Sequence, residues 1–285
     1  MRFDVLLPVT VFIVVVASVL VYPRSERGLK TFLQGKLRPR DVVILVAVMG
    51  AMITVVALIP AMAIQILFIS SYVYIMFFFA YLLTRRWYLA LFPPIIFLAA
   101  YAISYLVYPN TVVSLLVTDV LAVAFSVMMT VYMGVLFSWK TMWIYATLLT
   151  VMDVIQVFGT GFMGQVAEKT IRLQLPVALI LPAYPAGGQI GLGLGDIILS
   201  GLLAVQTALR YGRKTGILVA GTVGSAMFLF ELASMNLVSF RYFPATLIVV
   251  AGWGAGMATI FLLHHRPGTN IPQTDASSGQ DTSVP

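Results

Sequence analysis

Apolar runs of about twenty residues, separated by short polar connections, recur from one end of the chain to the other. They fall near residues 3 to 22, 42 to 61, 65 to 83, 87 to 107, 112 to 138, 141 to 163, 190 to 209, 215 to 237 and 243 to 263. A helix rises ~1.5 Å per residue, so each run matches the ~30 Å hydrocarbon core of a bilayer, where only helices and closed barrels satisfy every backbone group. The pattern predicts an all-α integral membrane protein with nine transmembrane helices. The stretch from Val42 to Leu83 is too long for one crossing, and Pro60 with Gln65 marks where it turns back as a hairpin. The first run follows Met1 and Arg2, exceeds a usual signal-peptide core and lacks a clear small-residue cleavage site, so it reads as a retained helix. Residues 175 to 187 are too few to span and form a connection. Residues 1–266 thus make a single polytopic membrane domain; 267–285, rich in Pro, Gly, Ser, Thr, Gln and Asp, read as a disordered tail with no expected activity.

Composition excludes most alternatives. Of 285 residues, 61% are hydrophobic and 9% charged, against roughly 25% charged in soluble domains. So few charges cannot clothe a globular surface, and a large soluble domain is excluded. The net charge of +7 resides mostly in the short connections, where basic residues orient a membrane protein and are not a nucleic-acid surface. Assigning connections alternately to two sides gathers Arg24, Arg27, Lys30, Lys36, Arg38, Arg40, Arg85, Arg86, Lys140, Arg210, Arg213, Lys214 and Arg266 on one side. Arg2, Lys169, Arg172 and Arg241 fall opposite, a 13 to 4 division of the 17 basic residues. The positive-inside bias then places the N-terminus outside and the C-terminus in the cytoplasm. With no cysteine, a thiol nucleophile, a disulfide framework and thiolate metal sites are excluded. His264 and His265, beside Arg266, read as an interface anchor. No metal and no cofactor is expected.

A carboxylate in hydrocarbon costs at least about 2.5 kcal/mol on insertion scales, which makes each intramembrane acid a functional candidate. Asp119, Asp153, Asp196 and Glu231 qualify. Counting helical residues from the nearest cytoplasmic anchor, Asp153 lies 13 beyond Lys140 and Asp196 lies 14 before Arg210, or about 20 and 21 Å up. They reach one level on consecutive antiparallel helices and can face each other. Asp119 comes out near the outer surface, about 31 Å up, and Glu231 about 25 Å up as a possible third acid. Gly191, Gly193 and Gly195 clear bulk from one approach to Asp196, and Gly191 with Gly195 also reads as helix packing. Two carboxyls a few Å apart cannot both ionise cheaply and should share a proton near neutral pH. Such a pair can activate water toward a peptide carbonyl and protonate the leaving amine. The same acids also fit a proton-coupled secondary transporter or ion pathway, although no internal repeat is evident. Gly221, Gly224 and Ser225, with Gly252, Gly254, Ala255 and Gly256, fit close packing in either fold.

These residues resemble the presenilin and signal peptide peptidase family of GxGD intramembrane aspartyl proteases. Met152-Asp153 is similar to the family's Tyr-Asp motif, Gly193-Leu194-Gly195-Asp196 matches GxGD, and Pro244-Ala245-Thr246 resembles Pro-Ala-Leu. The resemblance is firm over residues 141–263, with Met152 in place of the phenol and Thr246 in place of leucine. Prepilin peptidases share GxGD, but a lysine usually follows where Ile197 stands, and they lack the third motif. The resemblance implies cleavage of transmembrane helices or signal-peptide remnants, with Asp153 and Asp196 catalytic and Met152, Gly193, Gly195, Pro244, Ala245 and Thr246 shaping the site. The orientation looks like signal peptide peptidase, which implies substrates with a cytoplasmic N-terminus and an intact single chain without partner subunits. Short loops and absent cysteine look archaeal, in the cell membrane of a prokaryote. An unwound substrate needs replacement hydrogen-bond partners. The connector IRLQLPVALILP, with Leu173, Leu175 and Val177, either offers it a strand or lies on the membrane as an amphipathic loop. Pro244 sits 22 residues before Arg266, about 33 Å along a straight helix and too high to reach the aspartates unless that helix tilts, projects into the cytoplasm, or the site opens outward. An inactive scaffold that binds helices without cutting them also fits the altered motifs.

Overall fold

The computed structural model describes residues 3–30, 35–109, 111–237 and 243–264. In chain order the helices are α1 (Leu6–Lys30), α2 (Pro39–Leu58), α3 (Ala61–Thr84), α4 (Trp87–Ala90), α5 (Phe92–Val107), α6 (Val112–Leu136), α7 (Trp139–Val154) and α8 (Phe162–Arg172), followed by α9 (Leu194–Tyr211), α10 (Arg213–Asn236) and α11 (Ala245–His264). A π-helical turn, Ile155–Thr160, follows α7, and two strands, β1 (Ala178–Pro182) and β2 (Gln189–Gly193), precede α9. The predicted tail at 267–285, Arg2, Arg241 and His265 lie outside the described residues.

Helix ends follow local chemistry. Pro39 opens α2, its missing N–H costing nothing there, and Asp41 in the first turn accepts from the Arg38 N–H at 3.0 Å. The predicted turn between the second and third runs forms at extended Ile59 and Pro60, with α3 starting at Ala61. Ser138 caps α7 by accepting from the Thr141 N–H at 3.2 Å, while the Thr141 hydroxyl accepts from the Ser138 N–H at 2.8 Å.

Eight helical segments among the described residues are long and apolar enough to cross a membrane. Eight of the nine apolar runs correspond to them; the run at 190–209 does not. Its first residues belong to β2, and the helix that follows, α9, carries Asp196, Gln206 and Arg210 within 18 residues. Helix α9 is enclosed by its neighbours: it packs against α1, α6, α7, α10 and α11. Its middle, from Leu199 to Thr207, is buried throughout. The Gln206 amide donates to the carbonyls of Gly134 and Phe137, at 2.9 and 3.0 Å, and Thr207 accepts from the Trp253 indole at 3.1 Å.

Three expectations are corrected. The run at 141–163 is not one helix, because α7 ends at Val154, the π turn takes over, and Gly161, at φ 65°, starts α8 in a new direction. Helix α8 occupies residues read as connection; its Lys169 ammonium donates to the carbonyls of Ala57 and Ile59, where α2 runs out of internal donors. The molecule is also not purely helical: β1 and β2 form an antiparallel hairpin with Ile180 opposite Gly191 and Ala178 opposite Gly193. Gly191 therefore sits in a strand and makes no helix-packing pair with Gly195.

Small residues seat α11 on α10. A Cβ added at Gly252 would lie 2.8 Å from Val223 Cα, and one at Gly256 would lie 2.6 Å from the Thr222 hydroxyl. At Gly254 it would meet nothing within 4 Å. Gly252→Leu should therefore destabilise the detergent-solubilised protein by about 1–3 kcal/mol through overpacking, whereas Gly254→Leu should leave its thermal midpoint unchanged; melting curves of the two variants check this.

Candidate active site

On α7, Thr141, Met142, Tyr145, Ala146, Leu149 and Asp153 are buried at helical spacing, so this face looks into the bundle. Asp153 ends the stripe, 7% exposed. Gly193 is extended (φ −62°, ψ 141°) and turns the chain from β2 into α9, which puts Asp196 in that helix's first turn. A side chain at Gly193 would bring a Cβ within 3.3 Å of Asp196 Oδ2, whereas beside Gly195 there is open space. Across the contact between α7 and α9, the carboxyls of Asp153 and Asp196 lie within electrostatic reach of one another.

Thr246, 4% exposed at the start of α11, donates its hydroxyl proton to Asp153 Oδ2 at 2.8 Å. Its backbone N–H faces the same carboxyl. Through Thr246 the start of α11 reaches Asp153, which the straight-helix depth count for Pro244 had placed out of range. The two carboxyls are thus unlike. Among the described residues no donor is directed at the Asp196 carboxyl, and its advantage as an anion is the α9 N-terminus, worth ~0.3–1 kcal/mol. A hydrogen bond to a charged group contributes about 1.5–3 kcal/mol, so the bonds at Asp153 are the larger effect. Met152 packs against α2 at Gly50, where an added Cβ would sit 3.0 Å from its sulfur.

The hairpin leads straight into Asp196. Leu194 N–H donates to Val177 O and Ala183 N–H to Gly188 O, both at 3.0 Å. By alternation, residues 179 and 192, and 181 and 190, form the hydrogen-bonded pairs between them. The N–H of Ile180 instead points away from β2 and donates to Asp119 Oδ1 at 2.9 Å. Gln189, Gly191 and Gly193 accordingly turn their N–H and C=O groups to the outer edge of β2, where no third strand pairs among the described residues.

A sequence profile described as signal peptide peptidase matches residues 5–266. The chain belongs to the signal peptide peptidase family. No curated protein matches it. Signal peptide peptidases are intramembrane aspartyl proteases that act on transmembrane helices, and the matched span takes in all three motif positions together with the helices before them.

Within this signal peptide peptidase fold, several residues sit elsewhere than the sequence suggests. Asp119 is buried and holds the outer side of β1. Glu231 does not join the aspartates; its carboxyl meets that of Asp4, and its Oε2 is buried without a hydrogen-bond partner. Asp4 in turn accepts from the N–H groups of Tyr184, Leu6 and Leu7 at 2.8, 3.2 and 3.0 Å. The strand forms just beyond Leu173, Leu175 and Val177: Leu175 is buried with Val56, Ile64 and Tyr101, and the other two pack against that cluster. Two residues escaped the sequence reading. Tyr145, two turns before Asp153, is close enough to interact electrostatically with Asp196; the four-residue spacing of 145, 149 and 153 is the signal that finds it. Gln156, in the π turn, donates to Gly50 O at 3.1 Å and keeps a buried, unpartnered Oε1.

Asp119→Leu strands the Ile180 N–H, at a cost of about 1–3 kcal/mol for a buried donor. It should lower the melting temperature and speed amide exchange in β1, whereas Asp119→Asn, which keeps an acceptor oxygen, should be close to the parent in both measurements.

Proposed function

We propose that this chain hydrolyses peptide bonds within transmembrane helices or signal-peptide remnants, with Asp153 and Asp196 as its catalytic pair. The observation that carries the reading is that buried carboxyls on the packed helices α7 and α9 lie within electrostatic reach of one another, with family membership behind it. One carboxylate takes a proton from water as the water oxygen bonds to the scissile carbonyl carbon; the other, protonated, gives its proton to the carbonyl oxygen. The tetrahedral diol then collapses: the C–N bond breaks, the amine takes the first group's proton, and a diol hydroxyl returns its proton to the second. Acid and amine leave, and both carboxyls are reset.

The substrate must be unwound first, and each backbone group freed in hydrocarbon costs several kcal/mol unless it is paired again. The outer edge of β2 supports pairing there, since its open groups end three residues before Asp196. Gly191 and Gly193 add no side chain to obstruct a neighbouring strand. The basic asymmetry supports an outside N-terminus, and by analogy with the signal peptide peptidase family the substrates are helices whose own N-terminus is cytoplasmic.

In proteoliposomes with a fluorogenic transmembrane peptide, Asp153→Asn and Asp196→Asn should each abolish cleavage while leaving the melting curve intact. Full activity in either variant rejects the reading, and ion-coupled uptake without cleavage favours the transporter. The rate should trace a bell against pH, because one carboxyl must be charged and the other protonated; a flat profile would contradict the pair. N-methylation of the peptide should inhibit at alternate positions near the cut, following the period of two of a paired strand. Uniform inhibition would mean that β2 does not receive it.

A further inference from the structure

Two aspartates are the same chemical group, yet the reaction needs them unlike, one charged and one protonated at the moment water attacks. Something around them must break the symmetry. On Asp153 the structure places two donors from a single residue: the Thr246 hydroxyl at 2.8 Å and the Thr246 backbone N–H. A donor aimed at a carboxylate favours its charged form. Asp196 has no such donor among the described residues, although a Cβ added at the neighbouring Gly195 would meet nothing within 4 Å. Thr246 is held for this role from both sides. Pro244 before it is buried, and Ile248 and Val249 after it lie in the core, so the hydroxyl has little freedom to turn elsewhere.

Resting on the protease reading, we propose that Thr246 is a positioning residue that orients Asp153 and fixes it as the proton-accepting member of the pair, leaving Asp196 to deliver the proton to the substrate carbonyl. The chain thus draws a hydrogen bond from the position where the resembling motif carries leucine, which has no hydroxyl to give. Among the described residues, the titratable groups facing the pair are the two carboxyls themselves and the Tyr145 phenol of α7, which lies on the Asp196 side. The asymmetry therefore originates on α11.

The test compares Thr246→Val, which keeps the shape and loses the hydroxyl, with Thr246→Ser, which restores it, alongside Asp153→Asn, in proteoliposomes with the same transmembrane peptide. Thr246→Val should lower kcat about tenfold with KM unchanged, and displace by up to about one unit the limb of the pH–rate profile that reports the base. Thr246→Ser should recover both. If Thr246→Val keeps the parental kcat and profile, or changes KM alone, the inference is overturned. The same holds if the serine variant, folded by its melting curve, behaves like valine. Cleavage by Asp153→Asn would instead reject the protease reading itself, so the two failures are told apart.

Discussion

Hydrocarbon offers no hydrogen-bond partner, and an unpaired amide or carboxyl there costs several kcal/mol. The polar groups that this chain carries into its bundle are arranged around that cost. Gln206 answers two carbonyls at the base of α6, Lys169 answers two at the end of α2, Asp119 answers one N–H of β1, and Thr246 answers Asp153. Each contact joins elements far apart in sequence, so the satisfaction of polar groups also fixes how helices meet. Dispersion and small-residue contacts, as between α10 and α11, supply the attraction; the hydrogen bonds choose among the ways of packing.

The hairpin is the part of the fold that this constraint explains most directly. A two-stranded sheet is marginal alone, and here the edge of β1 that faces away from β2 is secured by Asp119 at Ile180, and the hairpin tip by Asp4 at Tyr184. Securing β1 leaves the free side to β2, which continues without interruption into α9. The open strand edge and Asp196 are therefore one rigid stretch of chain, and their separation is set by the Gly193 turn.

Much of this is readable before any coordinates. Twenty-residue apolar runs determine helices because length and hydropathy leave few options, and counting from Lys140 and Arg210 brings Asp153 and Asp196 to one level. The misreadings have physical causes. Hydropathy sees the same apolar signal in β2 as in a helix, so the start of the 190–209 run was indistinguishable from a span. Periodicity cannot reveal a π turn inside an apolar run, which hid the end of α7 and the start of α8. Depth counting along a straight α11 put its start out of reach of the aspartates and so hid the contact of Thr246 with Asp153. The partnership of Asp4 with Glu231 joins positions 227 residues apart by subtraction, and no local pattern records it.

Asp4 stands just ahead of α1 and yet holds the tip of the hairpin at Tyr184, which makes the beginning of the described chain a mechanical handle on the strand edge. Anything joined upstream, whether an affinity tag, a fluorescent fusion or a tether to a support, pulls first on that acid and through it on β1 and β2. Labels for measuring turnover or motion are better carried on the lipid-facing side of α5 or α11, where Ile95, Leu98 and Leu262 touch no such lever.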